Sequence, residues 1–347
     1  MSELKTKALN VLKQYWDYNE FRSIQYDVIQ SVMSGKDTLL LMNTGGGKSL
    51  CYQVPGLLLD GVTLILSPLI ALQKDQVDAL MARGVPAAVI NSTTGVRARK
   101  KILQQIHNKE LKLLYISPET FFSDSFKIFK DLIDVRLICV DECHLASTWS
   151  DFRPDYQKID LIREAYPDAP ILAVTATADD LIVKDVLKYC GFSNDFNRFQ
   201  TSFDRANIHY NIIPSSGSAS LQVLDILSKY NKQTTPGILY FSSRDRAEEF
   251  TRFLNVAGYS AVCYHAGLKK KEKESAQESF LNGQVNLICA TIAFGIGVDK
   301  PNCRFVICVD PPNTLDELQQ LWGRNGRDGK HSDAYLIYNP SSYRTAS

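Results

Sequence analysis

Apolar positions along the chain fall into two series of short runs, separated by stretches with helical spacing. Near the N-terminus Leu9, Val11, Leu12 and Tyr15 repeat on one face, then Ile24, Val28, Ile29 and Val32 on another, which predicts two short helices ahead of the first strand. Runs of strand length follow at 62–66, 87–90, 111–116, 137–140 and 171–174, alternating with helical stretches. Strands that are apolar throughout and separated by helices predict a parallel sheet covered on both faces. From about 201 to 220 the pattern turns polar, with Pro214, Gly217 and several serines, and reads as a linker. A second α/β series occupies 237–241, 261–264, 285–290, 305–309 and 334–338. The expectation is an α/β chain of two domains, 1–203 and 204–347, each a mostly parallel sheet with helices on both faces.

Composition changes this picture little. At 347 residues, 45% apolar and 22% charged, the chain is long enough for two domains of ordinary size. A net charge of +1 gives no global cationic surface, so a nucleic-acid partner has to be held by local basic groups. The eight cysteines stand singly, without a CxxC pair or a zinc-spaced Cys/His cluster, and read as buried, reduced thiols. No zinc is expected. The first residues lack a signal-peptide core, and no apolar run approaches a membrane span, so a cytoplasmic, nucleoid-associated protein without membrane contact is expected.

One stretch organises the chemistry. In LLLMNTGGGKSLCYQ, residues 39–53, an apolar run stops at Thr44, passes Gly45, Gly46 and Gly47, and meets Lys48 and Ser49 where a helix should begin. Glycines let successive N–H groups face phosphate oxygens, the helix start adds its positive dipole end, Lys48 can reach the β and γ phosphates, and Ser49 can ligate Mg²⁺. The strict pattern has glycine six residues before the lysine; here that position is Met42. The second series has no such loop, so groups from the second half are expected to complete the ATP site, an arginine-bearing loop among them.

Asp141 and Glu142 close the run LICV, placing two carboxylates at a strand's carboxyl end, where open parallel sheets bind ligands. Asp141 would hold Mg²⁺ and Glu142 would position or deprotonate the attacking water; alone, such residues also serve as solvated caps. His144 beside them reads equally as a surface or capping histidine. The stretch QQLWGRNGRDG, 319–329, supplies the arginine loop: Arg324 and Arg327, three apart, are expected on one face of a helical turn aimed at a γ-phosphate, with Gln320 ahead of them. Surface ion pairing is the plainer reading of the two arginines taken singly.

GGGKSLCYQ, DECH, SPLIALQKDQV, TATA (175–178), ATIAFGIGVDKPNCRFVI and QxxGRxGRDG occur in order and at suitable spacing, and together resemble the superfamily 2 helicases, within them the RecQ-like DNA helicases. The resemblance runs from 18 to 338. It implies an ATP- and Mg²⁺-dependent enzyme with two RecA-like domains that moves 3′ to 5′ on single-stranded DNA and unwinds duplex DNA in recombination, repair or replication. FRSIQ is similar to the family's adenine-reading motif, which implies that Gln25 reads the base edge while Tyr18 and Arg22 sandwich the ring. WSDFRP, 149–154, resembles the family's aromatic-rich loop: Trp149 and Phe152 would stack on bases and Arg153 would meet a phosphate or carboxylate, unless this is only a packed loop. FSSRDRAE and YHAGL resemble motifs that touch the DNA backbone, which carries over Ser243, Arg244 and His265, with Thr291 and Asp299 from the ATIAFGIGVDK stretch. Structural capping is an equal reading for each of these taken singly. The basic run KKKEK, 269–273, reads rather as a solvated helix face.

Three departures stand out: a shortened aromatic loop with Thr148 before its tryptophan, Leu321 where the family usually has glutamate, and Asn325 in place of alanine. Longer RecQ proteins continue into a zinc-binding segment, a winged helix and often a small helical domain; the expectation here is the catalytic core, working as a monomer. An RNA-directed ATPase and an ATP-gated DNA-binding module without unwinding are the alternatives.

Overall fold

Asp37–Leu41, buried at every position, forms the first strand, β1. Its interior is apolar on both faces, which suits a sheet covered on both sides. The computed structural model describes residues 2–338 apart from 44, 69, 149–153, 177–179, 203, 293 and 295–299. The chain divides into two compact units, 1–203 and 204–347.

In the first unit β1 is joined by β2 (Val62–Leu66), β3 (Ala87–Val89), β4 (Leu113–Ile116), β5 (Val135–Asp141), β6 (Ile171–Thr175) and β7 (Phe196–Gln200). The order across the sheet is β3-β4-β2-β5-β6-β1-β7, and every described pairing is parallel. Apolar side chains fill both sides: Leu39, Leu64, Leu114 and Ile138 join one core, and Leu40, Ile65, Tyr115 and Cys139 the other. At the amino end of β1 the buried Asp37 carboxylate accepts hydrogen bonds from the Ile171 and Ser193 amides and pairs with Arg163 at 2.7 Å. A buried carboxylate is tolerable only when so satisfied.

The second unit carries β8 (Ile208–Pro214), β9 (Gly237–Tyr240), β10 (Ala261–Tyr264), β11 (Leu287–Ala290), β12 (Phe305–Cys308) and β13 (Ser332–Tyr338). Their order is β10-β11-β9-β12-β13-β8, again with parallel pairings. The carboxyl ends of all strands in each sheet therefore share one edge.

The stretch 201–220 is a linker only in part. β8 pairs with β13 along its whole length, Ile208 opposite Ser332 through Pro214 opposite Tyr338. As the outer strand it leaves His209, Tyr210 and Ile212 exposed, so its composition lacks the buried-strand signature. β7, on the edge of the first sheet, is polar for the same reason.

Candidate active site

After β1 the chain turns through the three glycines before the helix Leu50–Leu58 begins. Gly45 and Gly47 both have φ of 84°, a conformation side chains disfavour. A Cβ on Gly46 would lie 2.6 Å from Cγ of Met42, and one on Gly47 would lie 2.4 Å from Nε2 of Gln25. Met42 is thus the buried backing of the loop, which accounts for its departure from the strict pattern. Thr44 lies outside the described residues.

Gln25, 1% exposed, holds the loop from behind: Nε2 donates to the carbonyls of Gly46 (3.3 Å) and Gly47 (3.1 Å), while Oε1 accepts from the Arg22 amide at 2.8 Å. In this arrangement the amide expected at a base edge is engaged with the phosphate loop itself. Tyr18 is exposed, and the Arg22 guanidinium lies 5.7 Å from its ring centre, so the two flat groups face each other.

Nζ of Lys48 is buried without a hydrogen-bond partner among the described residues and stands 3.9 Å from Oε1 of Glu142. Ser49 precedes the helix, beside the Tyr52 hydroxyl. Asp141 ends β5, and Oδ1 accepts from the Glu142 amide at 3.1 Å. Glu142 itself has φ of 51°, an uncommon value for a residue with a Cβ, and the turn directs its carboxylate back toward Lys48. Asp141 keeps some exposure. Dense packing around its carboxyl and the Glu142 charge nevertheless push its pKa up to about 7, with Lys48 pulling it down.

His144 is buried, with Nδ1 2.8 Å from the Thr175 hydroxyl and 3.5 Å from Oε2 of Glu142. It is neither a surface nor a capping histidine. It ties DECH, after β5, to the start of TATA, at the end of β6. Sequence reasoning left it undecided because the contact spans two strands.

Trp149, Phe152 and Arg153 lie outside the described residues, as does Asp299. In the second unit Ser243, His265 and Thr291 follow β9, β10 and β11, which are neighbours in the sheet, so these residues share its carboxyl edge. The Ser243 hydroxyl caps the helix Arg244–Val256 by accepting from the Arg246 amide at 3.3 Å, and Arg244 is exposed on its first turn. His265 is not presented to solvent: it is 4% exposed, and Nε2 lies 2.9 Å from Oε1 of Glu248. Gly267 lies close to both side chains, since a Cβ there would meet Nη1 of Arg244 at 3.0 Å and Nδ1 of His265 at 3.2 Å. The histidine is therefore anchored to the helix that Ser243 caps, through Glu248.

Arg324 and Arg327 do not share a helical face. The helix Leu315–Trp322, which contains Gln320, ends before them, and both lie in the loop leading to β13. Gly326, at φ of 51°, turns the chain between them. Leu321 and Asn325 have structural reasons to differ from the family pattern. Leu321 packs into the core with Leu318 and Phe280, and the buried Asn325 donates Nδ2 to the Asp333 carbonyl at 2.7 Å. Because the helix runs back from β12, this loop sits at the amino edge of the sheet, opposite Ser243 and Thr291. The residues that hold it, Arg205 and Asn207, carry no signal in the hydrophobic pattern, because they lie in the stretch read as a linker.

Residues 22–186 match the DEAD/DEAH box helicase family and residues 219–329 the helicase conserved C-terminal domain. The ATP-dependent DNA helicase RecQ of Haemophilus influenzae is 40% identical over 340 residues, covering 98% of this chain and 54% of that protein. The probable ATP-dependent DNA helicase RecS of Bacillus subtilis is 38% identical over 341 residues, covering 97% of this chain and 68% of that protein. The chain belongs to the RecQ-like superfamily 2 helicases. Its two sheets are those of tandem RecA-like P-loop NTPase domains. The chain spans about half the length of the Haemophilus relative. Among solved structures, the DUF1998 helicase MrfA bound to DNA superposes with a TM-score of 0.78 at 18% identity, covering 98% of this chain and 52% of that one. The DEAD-box helicase Mss116 bound to ssRNA and UDP-BeF does so with 0.76 at 16%, covering 98% and 73%. At those identities the likeness speaks for the fold. Among the described residues no helix is long and apolar enough to cross a membrane, and no group of three or more His, Cys, Asp or Glu is placed to hold a metal ion.

Proposed function

We propose that this RecQ-like chain is an ATP-driven DNA motor, hydrolysing Mg²⁺-ATP to move 3′ to 5′ along single-stranded DNA and separate duplex strands, in DNA repair, recombination or replication. The observation that carries the reading is the buried Lys48 ammonium, beside Glu142 and at the end of a glycine loop too tight for any Cβ at 46 or 47. A buried cation with no hydrogen-bond partner among the described residues, at a glycine turn that leads into a helix start, suits a polyphosphate. Ser49 and Asp141 would hold Mg²⁺, which screens phosphate charge when bound. Lys48 binds the terminal phosphates, and Glu142 orients the attacking water and takes its proton. Arg324 and Arg327 stabilise charge on the transferred phosphoryl group. Tyr18, Arg22 and Gln25 form the adenine side. Arg244, Ser243 and Thr291 track the DNA backbone, a mode that needs no base readout and permits stepping along any sequence.

The deciding experiment is steady-state ATPase in Mg²⁺ with no nucleic acid, with a short single-stranded DNA, and with RNA of equal length. Strong stimulation by DNA, with strand displacement, supports the motor. Preferential stimulation by RNA would make this an RNA-directed ATPase, and hydrolysis indifferent to both would leave an ATP-gated binding module.

A further inference from the structure

We propose that Arg205 and Asn207 are positioning residues that set the arginine loop by gripping the backbone between its two arginines. Both lie in the first residues of the second unit, before β8. Nη2 of Arg205 donates to the carbonyls of Asn325 (3.0 Å) and Gly326 (2.9 Å), the two peptide oxygens lying between Arg324 and Arg327. Nδ2 of Asn207 donates to the carbonyls of Gly326 (2.8 Å) and Lys330 (2.9 Å). Nε of Arg205 lies 3.4 Å from Oδ1 of Asn207, so the two side chains brace each other. The Asn207 carbonyl in turn accepts from the Ser332 amide at 3.0 Å, where the loop enters β13.

The fit is close. A Cβ on Gly326 would lie 2.6 Å from Nδ2 of Asn207 and 2.3 Å from the Ser332 hydroxyl, so this turn and this clamp require each other. Other bonds fix the loop's flanks: the Gly326 amide donates to Cys303, the Asp328 amide to Pro301, and Arg304 pairs with Asp328. Arg205 is the group that spans both carbonyls, Asn325 and Gly326, between the arginines, and Asn207 shares the second. Its task suits a guanidinium, a planar fork that meets two carbonyls at fixed angles, whereas lysine offers a single point of charge. Burial and the nearby Arg327 charge both weaken the hold of Arg205 on its proton, which marks the two guanidiniums as neighbours. A second positive charge there also favours an anion at this corner.

The inference rests on the proposed role of Arg324 and Arg327, and the test separates the two. Single-turnover ATP hydrolysis with excess protein and saturating single-stranded DNA is measured for wild type, Arg205→Lys, Arg327→Ala and the double variant. Affinity for a fluorescent ATP analogue is measured alongside. A displacement of about 1 Å costs about a hundredfold in rate. The expected result is a loss of about ten- to a hundredfold in Arg205→Lys, with analogue affinity unchanged and a clearly smaller further loss, through Arg324 alone, when Arg205→Lys is added to Arg327→Ala. Full activity in Arg205→Lys overturns the inference. So does an equal fold-loss in the Arg327→Ala background, or a loss that appears as weakened analogue binding. An unimpaired Arg327→Ala would instead overturn the arginine role itself. Should Arg205→Lys melt early, Asn207→Ala, which removes two carbonyl contacts and the brace on Arg205 but keeps the guanidinium, is read by the same cycle.

Discussion

Lys48 shows how far a single side chain can commit a site. Its stem is buried, its ammonium lacks a hydrogen-bond partner among the described residues, and the Glu142 carboxylate is 3.9 Å away. Holding a cation in that condition costs stability, and the cost makes sense if phosphate oxygens complete its coordination. Lys48→Ala should lower ATP turnover by at least about a hundredfold while leaving the nucleotide-free fold intact, as judged by melting; turnover close to wild type would refute the phosphate role. Asp141 makes the complementary point. In the folded chain its pKa is raised to about 7 from the model-compound 3.8, by burial first and the Glu142 charge second. The folded chain therefore binds the proton more tightly than the unfolded one. Its contribution to stability is complete below the unfolded pKa and is lost as pH rises through about 7. Without nucleotide or Mg²⁺, the wild-type melting temperature should fall between about pH 5 and about pH 8 more steeply than that of Asp141→Asn. Parallel curves for the two proteins would show that the carboxyl titrates normally.

Among elements, the parts most easily read from sequence are the central strands. Runs such as 62–66 and 171–174 are buried at every position, so their whole composition reports their place. β7 and β8 are edges; half of their residues face water, and their polar look concealed them. The phosphate loop was legible because its chemistry is local, three glycines and a lysine between a strand and a helix. The arginine loop was legible in residues but not in shape, since the path of its backbone after the helix is held by hydrogen bonds from Arg205 and Asn207, more than a hundred positions away. His144 was obscure for the same reason, its partner being Thr175. Lys300 shows the same non-local logic: its buried ammonium donates to the carbonyls of Phe280 (2.8 Å) and Leu281 (3.1 Å), closing the carboxyl end of the helix Lys270–Leu281. A cation there satisfies orphan carbonyls and complements the helix dipole. Lys300→Ala should destabilise the second unit by about 1–3 kcal/mol, read as a lower urea midpoint with an unchanged slope; an unchanged midpoint would mean that water serves those carbonyls as well.

Across the whole molecule, no described hydrophobic cluster mixes residues from the two units. Those of the first draw on positions between 8 and 199, and those of the second on positions between 213 and 338. Each sheet is likewise complete within its unit. Cooperative unfolding follows shared cores, so two separate cores predict two calorimetric transitions rather than one. The phosphate loop and both carboxylates belong to the first unit, so Mg²⁺-ADP should move one of these transitions and leave the other in place. At a nucleotide concentration of about 100 Kd the linkage stabilises the binding unit by about 2.7 kcal/mol. Lys48→Ala should abolish the shift without lowering either nucleotide-free transition. Assignment comes from Lys300→Ala, which should lower only the transition that nucleotide leaves alone. One transition in the absence of nucleotide, or a shift of both by Mg²⁺-ADP, would mean that the two cores do not unfold independently.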